Sequence, residues 1–72
     1  MVANVGKLKG KMAEYGYNNR AFAKAMGMSE VTLRRKIKDT DYDFTIGESI
    51  TAKDLLNLSN EEYLGIFIDS TF

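Results

Sequence analysis

Apolar residues in this chain recur mostly at intervals of three and four, the spacing of one face of a helix. Val5, Leu8, Met12 and Tyr15 follow that rule and predict a first helix over about residues 3–15. Gly16 follows where a helix favours a left-handed residue. Gly6 and Gly10 each weaken this helix by about 1 kcal/mol relative to alanine, so it must depend on packing. Asn18 is a good N-cap for a second helix, and Tyr17 before it can staple onto Phe22. Phe22, Ala23 and Met26 make the inner face of that helix. Gly27 ends it, Met28 plugs the turn, and Ser29 caps a third helix running to about Lys38. Two helices joined through so short a turn, with a glycine in it, match a helix-turn-helix unit at about residues 18–38.

The polar stretch Asp39-Thr40-Asp41-Tyr42-Asp43 predicts a loop. Beyond it, Thr45 with Glu48 and Ser59 with Glu62 fit capping boxes, which implies a fourth helix of about 46–57 and a fifth of about 60–66. The apolar residues of the fourth, Ile46, Ile50, Leu55 and Leu56, are unevenly spaced, and Thr51 with Asp54 offers an alternative start for a shorter helix. Residues 66–72 are apolar and β-prone. The expected fold is all-α: a compact five-helix domain over residues 1–72 with a short apolar C-terminal tail. Phe22, Met26, Met28, Leu33, Ile37, Leu56 and Tyr63 are expected to share its core.

Composition narrows the chemistry. A chain of 72 residues is a small domain that buries a modest core. It has no cysteine and no histidine, which removes disulfides, Cys-ligated zinc and the commonest general base at neutral pH. No apolar run approaches the roughly 20 residues of a membrane span. The start, Met1 to Gly6, lacks the basic and apolar regions of a signal peptide. A soluble, cytoplasmic protein is expected, with no membrane role and no cofactor.

Net charge is zero, yet the charges are sorted. Nine lysines and arginines face three acids through residue 40, and one faces seven from residue 41 onward. Such asymmetry hints at a polyanion-facing surface. Helix dipoles explain acids at helix starts and bases at helix ends, but not Lys7, Lys9 and Lys11 near the start of the first helix. On the third helix, setting Leu33 and Ile37 inward leaves Val31, Arg34, Arg35 and Lys38 across the opposite face, with Thr32 at its margin. Arginine can bind guanine O6 and N7 bidentately, and an apolar group can meet a thymine methyl, so this face suits a major groove. Lys24 and Lys36 are candidate phosphate partners as point charges.

The run from Asn18 to Leu33 resembles the helix-turn-helix of the Cro/repressor-like superfamily. That pattern has a capping Thr or Asn, an amide residue, an apolar residue then alanine, an apolar-Gly-apolar-Ser turn, and an apolar core residue on the next helix. Residues 44–48 and 58–67 are similar to small phage and prophage proteins of the same superfamily, so the resemblance spans about residues 5–68. It implies a phage-type transcriptional regulator or repressor that binds double-stranded DNA, acting as a homodimer or with a partner regulator. By position it assigns base contacts to Ser29, Glu30, Val31, Thr32 and Arg35, and backbone contacts to Asn19, Arg34 and Lys38. Glu30 could accept from cytosine N4 or simply complement the helix dipole. One position departs: the superfamily places an apolar residue where this chain has Lys36, and Ile37 can take over one turn from Leu33.

Two other readings fail. Asp39, Asp41 and Asp43 alternate like the first ligands of a calcium loop, but Phe44 and Ile50 stand where that loop needs glycine and glutamate. Glu61 and Glu62 diverge on a helix, no phosphate loop is present, and so small a chain leaves little room for a substrate pocket, so no enzymatic activity is expected. The alternative function is a helix-turn-helix module that modulates another regulator by direct protein contact, since a fold does not dictate its use. Ile66, Phe67, Ile68 and Phe72, four large apolar residues among the last seven, are expected to serve association, against the competing possibility that Phe67 closes the monomer's core.

Overall fold

The computed structural model describes residues 3–38 and 44–68. They form five α-helices: α1 Val5–Glu14, α2 Asn19–Met26, α3 Glu30–Lys38, α4 Ile46–Leu55 and α5 Asn60–Tyr63, the last continuing into a π-helical turn, Leu64–Ile68. The fold is all-α, with no strand among the described residues. The loop expected at residues 39–43 lies outside them, as do Phe72 and the side chain of Ile68.

One three-residue joint is used three times. The helices α1, α2 and α4 end on a left-handed residue, Gly16 (φ 75°), Gly27 (φ 76°) and Asn57 (φ 47°). The residue after each, Tyr17, Met28 or Leu58, donates its N–H to a carbonyl five residues back, on Met12, Ala23 and Lys53. Its side chain turns into the core. The third residue caps the next helix: Asn18 accepts from Ala21 N–H at 2.7 Å, Ser29 from Thr32 at 3.1 Å, and Ser59 from Glu62 at 3.1 Å. Each joint thus satisfies the carbonyls of one helix and an amide of the next, and anchors itself with one apolar side chain.

The core gathers Leu8 and Met12 from α1, Phe22 and Ala23 from α2, Leu33 from α3 and Ala52 from α4, with Ala3, Phe44, Leu56, Leu58, Ile66 and Phe67. Of the residues expected there, Phe22, Leu33 and Leu56 are buried, and Met26, Met28, Ile37 and Tyr63 pack partly buried against them. The staple forms, with the Tyr17 and Phe22 rings 5.4 Å apart, edge to face.

Two expectations need correction. Helix α4 stops at Leu55 rather than about residue 57, because Asn57 turns left-handed. Its inner face is Ser49 and Ala52, followed by the buried C-cap Leu56, while Ile46 and Ile50 stand 67% and 50% exposed. Serine can face the core because its hydroxyl bonds both the Ile46 carbonyl and the Tyr63 hydroxyl, each at 2.7 Å. The second concerns the tail, which is helical through residue 68 rather than extended. The wide π turn brings neighbouring Ile66 and Phe67 inward together, 2% and 0% exposed, and the Ile66 carbonyl takes the Asn4 N–H at 2.6 Å. These two expected association residues therefore close the monomer's core.

Candidate nucleic-acid interface

The helix pair α2–α3 packs more closely than any other pair of α-helices here, through the Gly27 turn. Leu33 anchors α3 with no exposed surface, and Ile37, one turn on, is half-buried. The far side carries Val31, 58% exposed, with Arg34, Arg35 and Lys38 all at the surface. The face expected for a major groove is thus the outward one.

The expected contact residues differ in how far they are already engaged. Ser29 is spent at the start of α3: its hydroxyl accepts the Thr32 N–H and donates to the Thr32 hydroxyl at 2.9 Å. Glu30 and Arg34 form an ion pair one turn apart, at 2.6 Å. On α2, Lys24 is exposed and Asn19 half-buried, while Asn18 alone provides the cap.

Lys36 is not on the outward face. Its side chain is only 13% exposed, its ammonium lies 3.0 Å from Glu48 Oε1 and 5.9 Å from the centre of the Phe44 ring. Lys36 was expected among the phosphate contacts, and the structure places its ammonium on Glu48 instead. The physical reason is its helical position, which points between α3 and α4, where an aliphatic stem can lie on an aromatic ring while the charge reaches a carboxylate. Glu48 escaped notice as its partner. The signal was present, since a lysine at an inward helical position needs an acid, and Glu48 was already placed at the head of α4 by its capping box.

The lysines of α1 divide similarly. Lys7 and Lys9 are exposed, whereas Lys11 is held by Glu62 and by Glu14, the latter at 3.3 Å. The hydrogen bond from Lys11, then that from the Ser59 N–H, draws the Glu62 carboxyl down to about 2, and Glu62 and Glu14 raise Lys11 in return. Burial alone would raise the Glu48 carboxyl, but the Thr45 N–H and then Lys36 outweigh it and leave it lowered. Both glutamates have depressed folded-state values. Their contribution is present above about pH 4.5 and is lost as pH falls below it, for Glu62 toward about 2. The melting temperature should therefore decline over that window, and Glu62→Gln should flatten the decline when melting is followed by circular dichroism.

An open groove of about 550 Å³ runs between α1 and α5, but its acids and Lys11 are largely taken up by these ion pairs. Among the described residues no group of acids, cysteines or histidines could hold a metal ion, and no helix is long and apolar enough to cross a membrane. The aspartates of the loop at 39–43 lie outside the described residues. No protein-family model, no curated protein and no solved structure matches this chain.

Proposed function

We propose that this chain is a sequence-specific DNA-binding regulator of the Cro/repressor-like type, with α3 entering the major groove. The observation that carries the reading is the outward face of α3. On a helix held to α2 by a left-handed glycine turn, Val31 stands among Arg34, Arg35 and Lys38 on the side away from Leu33. An exposed valine ringed by cations has little to offer a monomer's stability, whereas guanine edges and thymine methyls complement it. Glu30 and Arg34 enter the complex as a preformed pair, so Arg34 reaches a phosphate only by releasing Glu30. Asn19, Lys24 and Lys38 flank the groove as backbone contacts. The regulator acts in the cytoplasm, as a homodimer on paired half-sites, and has no catalytic role.

The test is a mobility shift with the DNA flanking the protein's own gene, against random duplex of equal length. Arg35→Ala should cost roughly 1–3 kcal/mol on the specific site and relax preference at one position, with far less effect on random duplex. A second reading, a module that binds another regulator, is favoured by Ile46 and Ile50, exposed one turn apart on α4. Under that reading the purified protein binds no duplex at moderate salt, and Arg35→Ala changes nothing there.

A further inference from the structure

We propose that Lys36 is a positioning residue that sets the outer half of α3 against α4, and not a contact to DNA phosphate. The proposal rests on the DNA-binding reading for its consequence, but its geometry stands apart from it. Helix α3 packs chiefly on α2, through Leu33 and the Gly27 turn near its start. Its last turn reaches α4 through Lys36, whose ammonium meets Glu48 and lies 5.9 Å from the centre of the buried Phe44 ring.

The receiving end is rigid. Glu48 Oε1 also accepts the Thr45 N–H at 2.8 Å, and the Thr45 hydroxyl accepts the Glu48 N–H at 3.0 Å, so the carboxylate is fixed by the capping box. The next residue, Ser49, is pinned by its hydrogen bond to Tyr63, and one turn beyond Glu48 the helix is held by the burial of Ala52. A lysine tied to such a point constrains α3 both in rotation and along its axis. An apolar residue there would fill space without choosing an orientation, and fixing orientation is the best-attested use of a partly buried charge pair. A lysine already neutralised by its own protein also displaces no counterion when DNA binds, so it adds little to the salt dependence of affinity.

The test uses the full chain and three variants, Lys36→Met, Glu48→Gln and Lys36→Arg, each kept well below its melting temperature. Glu48→Gln retains an oxygen for the Thr45 N–H but loses the charge, so it breaks the strut while leaving α4 capped. In free protein, amide exchange in the last turn of α3 should accelerate in Lys36→Met and Glu48→Gln relative to α2, and return toward the parent rate in Lys36→Arg. On the specific site from the mobility-shift experiment, the first two should weaken binding roughly 2- to 30-fold, the range for changes transmitted through packing rather than contact. Random-duplex affinity and the slope of log affinity against log salt should not change.

A phosphate contact predicts the opposite pattern. Lys36→Met would weaken specific and random DNA alike and reduce the slope by about one, and Glu48→Gln would free the lysine and tighten binding. Either result overturns the proposal, as does unchanged exchange in α3. Accelerated exchange in a protein whose parent binds no duplex supports the strut and defeats the DNA-binding reading alone.

Discussion

Replacing Phe67 with alanine is expected to cost roughly 3–5 kcal/mol of folding stability, the usual range for a fully buried phenylalanine. A chain of this length has on the order of 4–11 kcal/mol in all, at about 0.05–0.15 kcal/mol per residue, so the variant should lose a large part of its stability. The ring has no exposed surface and lies 5.6 Å from both the Phe44 and the Tyr63 ring centres, edge to face with the first. It therefore joins the π-helical turn to the head of α4 and to the residue that bonds Ser49. Its neighbour Ile66 carries the carbonyl that takes the Asn4 N–H, so loosening this turn also loosens the start of α1. Urea denaturation gives the cost, and sedimentation separates it from the role expected from sequence. A variant with an unchanged midpoint and a smaller mass would return Phe67 to an association surface.

The local grammar of the fold was legible because caps and joints are written in adjacent residues. Gly16-Tyr17-Asn18 and Gly27-Met28-Ser29 place two helix ends and two helix starts within a residue or so. Asn57-Leu58-Ser59 is the same joint, but asparagine is a weaker sign of a left-handed residue than glycine, and α4 reads two residues too long as a result. What local pattern does not carry is which face a weakly amphipathic helix turns inward. Isoleucines suggest the buried side of α4, yet the decision rests with a long-range hydrogen bond between Ser49 and Tyr63, fourteen residues apart. The tail is a similar case. Ile66 and Phe67 sit in a β-prone run with no capping signal of its own, and their burial rests on a π turn docked on α1. At the candidate interface, the outward set Val31, Arg34, Arg35 and Lys38 follows from Leu33 alone once α3 is granted. The pairing of Lys36 with Glu48 does not, because it depends on where α4 crosses α3.

Leu33→Ala is the companion test, since Leu33 carries both the fold of the helix pair and the orientation of the proposed groove-facing side. Its side chain is fully buried on the inner face of α3, in the cluster with Phe22, and with Met26, Met28 and Ile37 against it. Truncation should cost roughly 2–5 kcal/mol, the spread depending on how far neighbours close the cavity. Closure should be poor. The Gly27 turn holds α2 and α3 at a fixed spacing, and Met28, the most adaptable neighbour, is tied through its N–H to the Ala23 carbonyl. The upper half of the range is therefore expected in urea denaturation. The consequence for DNA is separable from the loss of fold. At a temperature where most of the variant is still folded, specific affinity should fall by more than the unfolded fraction accounts for, because α3 has lost the contact that sets its rotation against α2. Arg35→Ala makes the converse demand: affinity lost on the specific site with a melting temperature unchanged within error. A well-folded Leu33→Ala protein with an unchanged melting temperature would mean that α3 is turned the other way, with its cations inward and its leucine out, and no reading of this face as a DNA surface would survive that result.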